Sequence, residues 1–113
     1  IRGLNAGANV MKSDDFTVFR EKLNAECEAI MSVKGADYSG LFDRHRNFKE
    51  AAVAFGLEPL QVWGVFFKKH LDAIFTYVRD GKVQSEPILE RFKDLRNYLD
   101  LGAALVAELE QRP

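Results

Sequence analysis

Glu90, Asp94 and Asn97 stand four and three residues apart, the spacing that lines side chains along one side of a helix. Three oxygen-bearing groups so placed suit a hard divalent cation such as magnesium, held against phosphate. Charged residues on an ordinary solvated helix face show the same spacing. A second polar set lies early in the chain. Lys34-Gly-Ala-Asp37-Tyr38-Ser-Gly40 is a short polar break that carries a carboxylate and a tyrosine between two glycines, and Asn47-Phe48 follows it. Tyr98 adjoins Asn97. If the fold brings the two sets together, they form facing walls of one pocket, with Lys34 and Lys69 able to meet phosphate. Plainer uses exist for each residue. Asp37 can cap backbone amides, Tyr38 can plug the edge of a core, Asn47 can hydrogen-bond in a first helical turn, and Lys69 can pair with a carboxylate. His70 falls on an apolar stripe and reads as a core or boundary histidine. His45, in Arg44-His45-Arg46, belongs to a small basic patch that meets phosphate or solvent.

Helices must position these groups. Ser13-Asp14-Asp15 offers caps and negative charge at a helix start. Phe16, Phe19, Leu23, Cys27, Ile30 and Met31 then recur at helical spacing, which predicts a helix over 15–33 ending at Gly35. Residues 35–43 read as a loop, with Asp43 or Ser39 capping the next helix, 44–55. That helix turns Phe48, Ala51, Ala52 and Phe55 inward and stops at Gly56. Glu58-Pro59 opens a third helix, 59–79, which ends near Asp80-Gly81. Ser85-Glu86-Pro87 starts a fourth, 86–110, with Ile88, Phe92, Leu95, Leu99, Ala103 and Val106 on its expected core face. Gly102 permits close packing there, while Leu101 and Leu105 on another face hint at a partner. The fold class is therefore all-α, a compact bundle of four helices. The short third link makes the last two helices antiparallel neighbours.

The third helix is apolar nearly all round, which makes it central or covered by a partner. A chain this small rarely covers one helix on every side, so a homodimer or higher homo-oligomer is expected. The length, 113 residues, fits one domain over 11–113, preceded by residues 1–10 as a disordered arm or a remnant upstream of Met11. A net charge of −1 excludes a general binder of the DNA backbone but leaves room for a local phosphate pocket. The lone Cys27 cannot form an internal disulfide, which fits a cytoplasmic setting, and its place on an apolar stripe does not suit a nucleophile. No membrane span is visible. No GxxxxGK[ST] loop, CxxC, HExxH or GxSxG is present.

Taken in order, Lys34, Asp37-Tyr38, Asn47-Phe48, the Gly56 to Val62 segment, Lys69, and Asp94 to Tyr98 resemble the motifs of small all-helical phage and prophage proteins near the nucleotide-modification-associated domain, and of MazG-like proteins. The resemblance spans about residues 15–108. It implies a nucleotide-binding protein of phage origin, linked to nucleotide metabolism, base modification or counter-defence. MazG-like members hold magnesium on helical carboxylates and release pyrophosphate from nucleoside triphosphates. On that pattern Asp94 is the matching carboxylate of the last helix and Asp37 its loop partner; Glu90 joins them as a metal candidate on its spacing alone. The paired glutamates of the ExxE arrangement are missing, since Glu26 and Glu28 stand two apart. A non-catalytic nucleotide binder is thus the favoured expectation. A magnesium-dependent pyrophosphohydrolase and a protein–protein adaptor are the alternatives.

Overall fold

The computed structural model describes residues 10–38, 42–82 and 87–111, with Tyr38 described by its backbone alone. The chain is all-α, as expected: α1 (Ser13–Tyr38), α2 (Arg46–Phe55), α3 (Pro59–Asp80) and α4 (Ile88–Glu110). The predicted arm falls on residues 1–9, outside the described residues, apart from an exposed Val10. The candidate caps Ser39 and Ser85 also lie outside them.

Each boundary has a local cause. The Asp15 carboxylate accepts the Lys12 N–H at 3.2 Å, and Asp14 and Asp15 place negative charge in the first turn of α1. Asp43 accepts the His45 N–H at 3.0 Å just ahead of α2. Pro59 opens α3, and the Gln61 side chain reaches back to the Glu58 N–H at 2.8 Å. Gly56 (φ 69°) and Gly81 (φ 76°) end α2 and α3 in the left-handed conformation, donating to Ala52 and Tyr77 carbonyls.

Gly35 does not end α1, which continues through Tyr38. It is buried beneath Arg44: a Cβ there would lie 2.8 Å from the guanidinium carbon. The glycine therefore serves close approach rather than termination. Arg44 lies across it and donates to the Met31 carbonyl at 3.3 Å and to the Met31 sulfur at 2.8 Å. Asp37 thus sits on the last turn of a helix, not on a loop, with Lys34 one turn before it.

The core is small. Phe48, Ala52 and Val62 form its centre, with Ala51, Trp63, Tyr98 and Leu101 packed against it and Leu105 fully buried nearby. α3 packs along α4, α2 sits on α3, and α1 rests on α4. Phe55, expected inward on α2, is exposed. Gly102 does admit close packing, since a Cβ there would stand 2.5 Å from the Trp63 indole. The Trp63 Nε1–H also donates to the Tyr98 carbonyl at 2.6 Å.

The largest departure concerns α4. Its buried positions are Lys93, Asn97, Gly102 and Leu105. The stripe expected to form its core face is turned outward: Phe92, Leu99 and Val106 are exposed, and so is Ala103. Leu101 and Leu105, which hinted at a partner, are core instead. The polar side goes inward because it is satisfied there. Lys93 pairs with Glu26 and Glu90, and the Asn97 amide donates to the Cys27 carbonyl at 3.1 Å. Among the described residues, no helix is long and apolar enough to cross a membrane.

Candidate functional site

Between the four helices lies a cavity of about 360 Å³. α1 contributes Ile30, Met31 and Lys34; α2 contributes Asn47 and Phe48, with Arg44 just before it. Phe66, Lys69 and His70 come from α3, and Asp94, Asn97, Tyr98 and Leu101 from α4. The two polar sets that are remote in sequence therefore meet. Lys34, Asn47, Lys69, Asp94, Asn97 and Tyr98 line one space.

The remaining candidates fall elsewhere. Glu90 turns toward Lys93, whose ammonium it accepts at 2.9 Å, and Asp37 is exposed and outside the lining. Tyr38 has no described side chain. Asp94, Glu90 and Asp37 do not form a group whose oxygens lie within 4.8 Å of one another, so the three do not make a shared cation cage.

One wall is aromatic. The Tyr98 ring stacks on Phe66 at 6.3 Å and 26°, with Phe48 at 6.4 Å and His70 at 4.8 Å. The other features are charged. Lys34 Nζ lies 3.6 Å from Asp94 Oδ1, and His70 Nδ1 lies 3.9 Å from Asp94 Oδ2. The second separation is too long for a hydrogen bond. His70 Nδ1 is buried and has no hydrogen-bond partner among the described residues. Burial holds the imidazole pKa below its ordinary value, and the pull of Asp94 only partly offsets this. His70 is therefore neutral at neutral pH. Among the described residues, three cations, Lys34, Arg44 and Lys69, then share the lining with one carboxylate, Asp94. The chain carries a net charge of −1, so this positive excess is local to the cavity.

Sequence reasoning missed Arg44, Phe66 and His70 as lining residues. The basic Arg44-His45-Arg46 run was the available signal for the first. It splits: Arg44 enters the cavity, while His45 is buried beside Leu101. His45 Nε2 lies 3.2 Å from the Leu101 carbonyl, which can only accept, so Nε2 carries the ring proton.

His45, Asp43 and Glu108 also form a second cluster, with ligand atoms within 4.8 Å of one another. Lys49 already supplies its positive charge, at 2.9 Å from Asp43 and 3.1 Å from Glu108. The Lys49 ammonium lowers the Asp43 pKa, and the two carboxylates raise that of Lys49.

Comparison with protein family models, with curated proteins and with solved structures found no match.

Proposed function

We propose that this chain is a cytoplasmic, phage-type protein that binds a nucleotide or a similar small phosphorylated ligand in the four-helix cavity, without turning it over, and that it acts as a homodimer. The observation that carries the ligand is the pairing of a local positive excess with an aromatic wall. Lys34, Arg44 and Lys69 answer a phosphate, and the Phe66–Tyr98 surface answers a base, whose π face stacks on aromatic rings for roughly 1–3 kcal/mol. The volume falls within the range of small-molecule pockets. Lys34 is more than half exposed, so a phosphate can draw it from Asp94 at little cost.

The donor set fits poorly with a resident magnesium ion. Asp94 is the one carboxylate on the lining among the described residues, and Lys34 stands beside it. Magnesium would enter with the phosphates, taking Asp94 as a protein ligand and supplying charge neutralisation. That leaves the pyrophosphohydrolase reading second, because hydrolysis of this kind draws on clustered carboxylates.

A thermal-shift panel of nucleoside mono-, di- and triphosphates, with and without magnesium, tests the proposal. At a hundredfold excess over Kd, a bound nucleotide stabilises by about 2.7 kcal/mol, a rise of many degrees in a domain of this size. The rise should vanish in Lys34→Ala/Lys69→Ala, with no phosphate or pyrophosphate released. A panel that moves nothing overturns the binding reading, and release of pyrophosphate transfers the case to the enzyme.

A further inference from the structure

On α3, Leu60, Gly64, Phe67, Leu71, Phe75 and Val78 follow one another at intervals of 4, 3, 4, 4 and 3 residues. The outward stripe of α4, from Ile88 to Val106, repeats the same intervals. This is the spacing of a helix seam that packs against other helices. α3 and α4 lie side by side. The lysine, asparagine and leucine side of α4 faces α1 and α2, and the cavity opens on that side. Both seams therefore lie on the opposite face of the α3–α4 layer.

That face is open. Phe75 is 57% exposed, Val78 73%, Phe92 42%, Leu99 50% and Val106 38%. No charged residue interrupts either seam over its six positions, a length of roughly 27 Å at 1.5 Å per residue. Gly64 adds an independent sign. A glycine inside a helix costs about 1 kcal/mol relative to alanine. Among the described residues nothing explains it, because a Cβ there would meet none of their atoms within 4 Å.

We infer that a second copy of this chain covers this face, the two α3–α4 layers closing by a twofold axis into a four-helix bundle. The inference assigns a surface to the homodimer proposed above and does not depend on the ligand. Three features select a second copy. A twofold interface sets a patch against itself, and these uncharged seams can meet a copy of themselves without like-charge repulsion. The area is right: covering the exposed side chains and their half-buried neighbours would remove roughly 700 Å² per copy, close to the 800 Å² of a standard specific interface. Finally, two parallel seams on one helical layer are half of a bundle core, and an identical layer supplies the other half. Gly64 then lets a partner helix approach closely. The cavities, on the other side of each layer, stay open.

Light scattering coupled to size exclusion, on the unmodified chain at micromolar concentration, should read twice the 12.8 kDa chain mass. Leu99→Glu and Gly64→Gln should each halve that mass while circular dichroism keeps the helix content. Both sites face open space in the single chain, and glutamine is the better helix former, so neither change should unfold it. Val53→Glu, on the exposed side of α2, should leave the mass doubled. A single-chain mass for the unmodified protein overturns the dimer and this surface together, leaving the ligand reading untouched. A doubled mass that survives both seam variants overturns the surface alone. A single-chain mass with retention on phosphatidylcholine vesicles would assign the face to a membrane surface instead.

Discussion

His70 is the residue whose chemistry is most exposed to solution conditions. Its pKa is held down by burial, so the unfolded chain binds its proton more readily than the folded one. The stability gained from the neutral ring is complete above the unfolded value, about 6.5. It is lost as pH falls from there toward the lower folded value. His70→Phe keeps an aromatic ring beside Tyr98 and removes the titration. Urea midpoints between pH 8 and 5 should therefore fall in the unmodified chain and stay flatter in the variant; parallel curves would show that His70 is not the group responsible. The carboxylates with lowered pKa, such as Asp43, act in a separate and more acidic window. At the ligand site, Lys69→Ala alone should weaken nucleotide binding about tenfold, or ~1.4 kcal/mol, by calorimetric titration. Much of this site was legible because polar residues at helical spacing, such as Asp94 and Asn97, share one side of a helix whatever that side meets. The misses have a geometric origin. Four residues along a helix turn a side chain by about 40° beyond a full circle. That rotation separates Glu90, which meets Lys93 beneath α1, from Asp94, which meets the cavity. His70 lies on an apolar stripe, which reads as a core or boundary position and gives no sign of a cavity. It occupies the stripe's edge, where the cavity begins.

At the scale of the helices, two glycines make opposite predictions. Gly102→Ala drives a methyl into the Trp63 indole, a broad rigid ring fixed by its bond to the Tyr98 carbonyl. The cost should be about 1–3 kcal/mol in denaturant unfolding, typical of overpacking. Gly35→Ala meets only the far end of the Arg44 side chain, which can swing aside. The lost Arg44 bonds to Met31 are set against a gain in helix propensity of about 1 kcal/mol, so stability should change little. The number and ends of the helices could be read from caps, glycines and prolines. Which side of α4 faces the chain could not. Periodicity reports the residues that share a face, and the apolar face wins only where apolar surface is within reach. In α4 the inward side is held by Lys93 and Asn97, whose partners Glu26 and Cys27 lie on α1, and by the buried Leu105. Those partners come from across the chain and leave no local trace in sequence.

For the molecule as a whole, the small core concentrates stability in few side chains. Leu105 is fully buried, and Leu105→Ala should cost about 2–5 kcal/mol by urea denaturation. A loss below 1 kcal/mol would mean that the site collapses around the gap. Stability is also unevenly distributed. α2, α3 and α4 share the aromatic centre, whereas α1 rests mainly on α4 through Lys93, Asn97 and the Arg96 bond to Asn24. α1 is thus the helix placed to detach before the rest unfolds. Cys27 sits inside that seam. The residue is 5% exposed, its thiol faces the Lys93 carbonyl at 3.9 Å, and burial raises its pKa. A thiol so placed reacts with an alkylating reagent only during excursions that lift α1 away. It is the only cysteine in the chain, so the rate of its modification counts those excursions without any engineered label. One native atom becomes a stopwatch for how often the cavity loses its first wall.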